Sequence, residues 1–193
     1  MPEHRHFIIH KPAGCLSQLL TNQRKQQKKK LLSGLYNFPE GTMVIGRLDY
    51  YSEGLLLLTT DGKISNQVRS RNVEKEYLAE LDGKISNDAV AKLMQGVTIS
   101  INGKPYTTMP GRVQVLPQPP DVKPNTNTRV SRHRPTSWIS ITIREGKYRQ
   151  VRKMTASVGF PTLRLIRTRI GHIKLSNLPA GNVVEVDDFG FKS

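Results

Sequence analysis

The chain has 193 residues, which suits one sizeable domain or two lobes sharing a core. Its 36% hydrophobic and 23% charged residues are ordinary for a globular protein, but 30 Lys and Arg against 15 Asp and Glu leave a net charge of +15, which points to a polyanionic partner, nucleic acid first. Cys15 is the single cysteine, which excludes an internal disulfide and a thiol-based zinc site; no stretch approaches the roughly 18 apolar residues of a membrane span.

Met1 to His6 lacks the apolar core of a signal peptide. The histidines His4, His6, His10, His133 and His172 show no helical two-ligand spacing, so a cytoplasmic, metal-independent protein is expected. Phe7 to Lys11 reads as a strand stopped by Pro12. Thr21 to Lys30 is polar and carries Arg24-Lys25-Gln26-Gln27-Lys28-Lys29-Lys30. With like charges and no apolar period it reads as a loop, and either a solvated face or a phosphate contact fits it. Met43-Val44-Ile45 leads into Gly46-Arg47-Leu48-Asp49-Tyr50-Tyr51-Ser52-Glu53-Gly54, followed by Leu55-Leu56-Leu57-Leu58-Thr59-Thr60-Asp61-Gly62. The short leucine run predicts a strand buried on both faces, and Asp61-Gly62 predicts a tight turn that doubles the chain back. Asp49 then sits in a polar loop at the mouth of a rigid strand.

Ile64 and Val68, four apart, predict a short helix. Tyr77, Ala79 and Leu81 alternate with polar residues, a strand closing at Asp82-Gly83. A helix capped by Ser86 or Asn87 and stopped by Gly96 should bury Val90, Leu93, Met94 and Val97. Two or three short strands fit 97 to 116. The proline-rich stretch from Leu116 to Ser137 is a long loop whose Arg129, Arg132 and Arg134 suit RNA contact. Ile139, Ile141 and Ile143 mark a half-buried strand; Gln150 to Val158 is a helix with Val151, Met154 and Val158 inward. Leu163 to Ile170 and Asn182 to Val186 complete the strands. Hairpin-paired strands with helices inserted at intervals predict an α+β fold with a mostly antiparallel sheet.

Gly46 to Gly62 closely resembles the active-site motif of pseudouridine synthases of the RsuA type, G-R-L-D-x-x-S-x-G-L-L-L-L-T-x-D-G. Lys11-Pro12 falls where that family ends its first catalytic strand, and Lys75-Glu76-Tyr77 resembles its K-x-Y motif. Glu145-Gly146-Lys147-Tyr148-Arg149-Gln150-Val151-Arg152-Lys153-Met154 resembles its third motif, and Leu163 to Gly171 follows its next strand. The resemblance spans residues 7 to 186 in the expected order. It implies a pseudouridine synthase fold, a mixed, mostly antiparallel sheet with flanking helices and a central RNA-binding cleft. It also implies one catalytic domain over 1–193, in two lobes with a boundary near 70–75. With the first strand at residue 7 there is no room for the amino-terminal S4 module many members carry, so the chain resembles the short branch.

Pseudouridine formation breaks the bond between uracil N1 and ribose C1′, turns the base and rejoins it through C5, so no cofactor is implied. By resemblance Asp49 is the catalytic carboxylate, Arg152 its cationic partner, and Tyr77 the catalytic tyrosine that stacks on the base and takes part in proton removal. Burial would disfavour a charged Asp49, and a nearby cation counters that. Leu165 is expected beneath the base; Arg47 holds the loop or binds phosphate. Lys11, Arg149, Lys153 and Arg164 are candidate phosphate contacts. Read alone, Arg152 on a basic helix also fits a phosphate contact, and Tyr77 and Leu165 fit ordinary strand core. The partner implied is ribosomal RNA, large-subunit RNA favoured, bound by a monomer. Small-subunit or transfer RNA as substrate, and a non-catalytic RNA-binding assembly factor, are the alternatives. A metal-dependent nuclease built on Asp49, Glu53 and Asp61 fits less well, since a strand of several residues at about 3.3 Å each parts Asp61 from Asp49.

Overall fold

The computed structural model describes residues 4–70, 73–123 and 135–191. Arg129, Arg132 and Arg134 lie outside the described residues. The chain divides into two units, Met1–Val73 with Arg167–Ser193, and Glu74–Ile166.

In the first unit β1 (His6–Lys11) lies between β13 (Val183–Val186) and β5 (Glu53–Thr59), antiparallel to both, with Ile8 opposite Val184 and Leu57. The four leucines of β5 are fully buried, as a strand flanked on both edges and covered on both faces requires. Its carboxy-terminal half also pairs with β4 (Met43–Ile45), Val44 opposite Leu58. Phe7, Ile9, Leu56 and Leu58 share one face with Cys15 and Leu32, and Tyr36 and Phe38 close over them. The Phe7 and Phe38 rings meet edge-on at 5.3 Å. Residues 15–31 supply only the two-residue strands β2 (Cys15–Leu16) and β3 (Lys30–Leu31), which pair in parallel, and a 3-10 turn at Arg24–Gln26.

One turn differs from expectation. Asp61-Gly62 does not fold β5 back as a hairpin. Asp61 is the N-cap of α1 (Gly62–Arg69), its Oδ1 accepting the N–H of Lys63 at 2.8 Å and of Ile64 at 3.4 Å. The carboxylate satisfies two of the donors that a helix start leaves without intrahelical partners.

In the second unit β6 (Lys75–Asp82) alternates buried and half-buried residues along its whole length. It pairs antiparallel with β10 (Thr136–Ile143), Tyr77 opposite Ile141, and β10 pairs with β9 (Arg112–Leu116). The α2 helix (Asn87–Gln95) is capped by Ser86, whose Oγ accepts the Ala89 N–H at 3.3 Å. Its buried face is Ala89 and Leu93; Met94 is exposed and Val90 half-buried, contrary to the spacing argument. A helix this short buries a narrow stripe, and Ala89, four before Leu93, occupies it. The hairpin of β7 (Thr98–Ile101) and β8 (Lys104–Thr107) turns at Asn102-Gly103, both with positive φ. α3 (Gln150–Ser157) buries Val151 and Met154, with Val158 half-buried just past its end.

The chain passes from the second unit back to the first within β11 (Thr162–Ile170), which the two-residue β12 (Ile173–Lys174) then pairs. The architecture is α+β and mostly antiparallel, but the pairings are less local than hairpins predict. His6 faces Val186 and Thr59, and Thr136 faces Asp82, because the strands that flank the core come from distant segments.

Candidate active site

Asp49 lies in the seven-residue connection between β4 and β5, in the first unit. Gly46 opens that connection at φ +72, a conformation that favours glycine, and the Ser52 N–H closes a turn on Asp49 O at 3.0 Å. Leu48 is buried, and its backbone is held on both sides by one hydroxyl: Ser17 Oγ donates to Leu48 O at 2.8 Å and accepts from Leu48 N at 3.0 Å. On the other flank Tyr50 O accepts from Gly14 N at 2.8 Å and from Lys11 Nζ at 3.3 Å. The backbone on either side of Asp49 is therefore fixed, while Asp49 itself stays half-buried and Arg47 exposed.

Lys11 is fully buried at the end of β1. Besides Tyr50 O, its ammonium donates to Cys15 O at 2.6 Å and Pro12 O at 2.9 Å. Burial pulls its pKa down to about 8; the charges of Cys15, Glu53 and Asp49 oppose the fall, and that of Arg167 adds to it. The lysine thus ties three segments together rather than facing solvent.

Arg167, on the part of β11 that belongs to this unit, is also buried and donates through Nε to Leu55 O at 2.7 Å. Its backbone lies against Gly54, where a Cβ would stand 2.3 Å from Arg167 O and 2.6 Å from Arg167 N. Gly54, at φ +109, lets β5 begin four residues after Asp49 without displacing β11. Ser17, Arg167 and Gly54 had no assigned place in the sequence reading. Gly54 and Arg167 sit inside stretches that resemble the family motifs; nothing local marks Ser17.

The second unit carries the other expected residues. Tyr77 is 8% exposed on β6 and Leu165 6% exposed on β11. Arg152, half-buried on α3, donates through Nη1 to Thr162 O at 3.0 Å. Arg149 is the exposed N-cap of α3, in the left-handed region at φ +53. Lys153 Nζ donates to Ser100 O at 2.7 Å and stands 5.2 Å from the Tyr148 ring centroid. Arg164 is buried, its Nη2 donating to Lys123 O at 2.8 Å.

Glu145 explains how the third motif is shaped. Its buried carboxylate accepts from Tyr106 Oη, from Met109 N at 2.9 Å and from Gln150 Nε2 at 2.7 Å, while Gln150 Oε1 accepts from Lys147 N at 3.0 Å. Burial alone pushes that carboxyl up. The hydrogen bonds from Tyr106, Met109 and Gln150, with Lys147 nearby, outweigh it and hold the pKa below the usual range. The turn that starts α3 is thereby anchored to residues 106–109.

Among the described residues no group of three or more His, Cys, Asp or Glu is arranged to hold a metal ion. Asp61, the third carboxylate of the nuclease alternative, is engaged as a helix cap.

The family model for RNA pseudouridylate synthases matches residues 5–157. The chain is 37% identical over 183 residues to the ribosomal large subunit pseudouridine synthase E of Vibrio parahaemolyticus, covering 93% of this chain and 73% of that one. It is 38% identical over 184 residues to the protein of the same name from Xanthomonas campestris, covering 94% of each. A solved pseudouridylate synthase aligns with a TM-score of 0.75 at 26% identity, over 96% of this chain and 71% of that one.

Proposed function

The chain belongs to the RNA pseudouridylate synthase family, and from that premise we propose that it converts a specific uridine of large-subunit ribosomal RNA to pseudouridine, with Asp49 as catalytic carboxylate. It is an RNA pseudouridine synthase, an isomerase with the α+β fold of that family. The large-subunit substrate is the one in the relatives' names, and +15 of net charge suits it. The observation that carries the assignment of Asp49 is the fixing of its backbone on both flanks, by Ser17 at Leu48 and by Lys11 and Gly14 at Tyr50. A carboxylate on a backbone fixed before substrate arrives needs less ordering when it meets the ribose.

The remaining roles follow the family pattern. Tyr77 and Leu165 offer apolar area for the detached uracil, and Arg152 is the cationic partner of Asp49 in that pattern. Arg47, Arg149 and Lys153 contact flanking phosphates. Lys11 and Arg164, whose cationic groups are buried against carbonyls, act by positioning their own segments. A target inside folded RNA must be flipped out at a cost of a few kcal/mol, which phosphate contacts offset. Among the described residues no helix is long and apolar enough to cross a membrane.

Pseudouridine mapping of ribosomal RNA from cells lacking the protein tests this reading. One uridine of the large-subunit RNA should stay unmodified, restored by wild type and not by Asp49→Asn. Restoration by Asp49→Asn would make the protein an assembly factor, and a complete modification map would refute the substrate.

A further inference from the structure

Beside the fixed Asp49 loop stands a group that the reaction itself does not use. Tyr51, two residues after Asp49, is 56% exposed, a large aromatic left open to solvent. Its ring meets that of Tyr50 edge-on, centroids 4.9 Å apart at 77°. Lys29, from the basic run whose role the sequence left open, places its Nζ 4.9 Å from the Tyr50 ring centroid. All three belong to the first unit. The Tyr50 backbone is held in place, because its carbonyl accepts from both Gly14 N and Lys11 Nζ. The result is an exposed ring on a rigid turn, backed by a second ring and tied to a run holding Arg24, Lys25, Lys28, Lys29 and Lys30, all exposed.

We propose that Tyr51 is a stacking shelf for an unpaired base of the RNA next to the target uridine, with Lys29 and its neighbours in the 24–30 run binding the phosphates that flank that base. Aromatic faces accept any base by stacking, and cations beside them track the backbone; this pairing recurs wherever single-stranded nucleic acid is bound. The shelf prefers a single strand, because a base within a duplex has no free face to offer. A cation held over Tyr50 also couples the basic run to the catalytic loop, so the run is part of the substrate surface rather than a solvated face. The placement next to the target uridine rests on the reading of Asp49; the stacking itself does not.

Binding, without turnover, separates the two. Fluorescein-labelled hepta-uridylate and a chain of the same length and charge made of abasic tetrahydrofuran nucleotides serve as probes, read by anisotropy. Tyr51→Ala should weaken hepta-uridylate binding by about 5- to 150-fold, the range of one lost base stack, and leave the abasic chain unchanged. Tyr51→Phe should bind both as wild type does. Lys29→Gln should weaken both probes and lower the magnitude of the log-log salt slope by about 0.7. Tyr51 is exposed, so its variants should keep the wild-type melting temperature. Equal hepta-uridylate affinity for wild type and Tyr51→Ala, or an equal loss on the abasic chain, would overturn the shelf. An unaltered salt slope in Lys29→Gln would remove the basic run from it. None of these results depends on which RNA is modified, so a failure of the mapping experiment leaves them standing.

Discussion

Replacing Lys11 by Met removes a fully buried ammonium and keeps most of the side chain's length. Wild-type Lys11 has a pKa of about 8 in the fold against 10.5 for the free side chain, mainly because burial penalises its charge. Between those values the unfolded chain holds a proton that the folded chain has released. Stability therefore rises with pH across that window, and the cost of burying the charge is felt in full below about pH 8. Linkage gives a wild-type gain from this group of about 2.5 kcal/mol between pH 7 and pH 10. In Lys11→Met this gain is absent, whatever constant offset arises from leaving Cys15 O and Pro12 O without their donor. Urea unfolding of both proteins from pH 7 to pH 10 measures it, since every other group is common to both and largely cancels in the difference. Parallel stability profiles would refute the account of Lys11 as a buried charged clamp. The variant should also lose turnover, because Tyr50 O, beside Asp49, loses one of its two donors.

Gly54→Ala forces a Cβ to within 2.3 Å of Arg167 O at a φ of +109; strain and overpacking together predict a loss of about 2–6 kcal/mol, read as a large fall in the urea midpoint. A midpoint like that of wild type would mean β5 and β11 are not so close. Ser17→Ala leaves both Leu48 backbone groups without their hydroxyl partner, at a cost of about 1–3 kcal/mol, and should lower kcat by loosening the turn that carries Asp49. Unchanged stability and turnover would show the clamp to be idle. Glu145→Gln puts an amide against three donors. Because the Glu145 carboxyl is held below its usual value, the stability it gives is present above about pH 4.5 and is lost as pH falls through its folded pKa. The deficit of the variant at pH 7, about 1–3 kcal/mol, should therefore shrink on acidification; a pH-independent deficit would count against this role.

Local signals carried much of the element plan. The leucine run of β5, the alternation of β6 and the cap of α2 at Ser86 fall where patterning put them, because burial and capping leave a mark on neighbouring residues. Asp61-Gly62 shows where such reading stops: the same dipeptide suits a turn or a helix start, and the residues that follow choose between them. The face of α2 was misjudged for a related reason, since Ala89 is too small to stand out in a pattern of large apolar residues.

The residues expected to do chemistry were legible because they sit in contiguous motifs. Their supports were not, since a hydroxyl such as Ser17 acquires its partner only when a segment 31 residues away is laid beside it. Charge was likewise legible only in sum. From the sequence, Lys11 and Arg164 look like any other cation able to meet a phosphate. Burial against carbonyls turns them into internal clamps and leaves Arg47 and the 24–30 run as cations exposed to solvent.

By itself, the sequence determined the reaction family and the order of the motifs, since these depend on residue type and spacing along the chain. The tertiary structure decided which cations remain available, what holds the Asp49 loop still, and that Tyr51 is left exposed beside it. Those outcomes depend on desolvation and on hydrogen bonds between segments far apart in the chain, which no local pattern encodes.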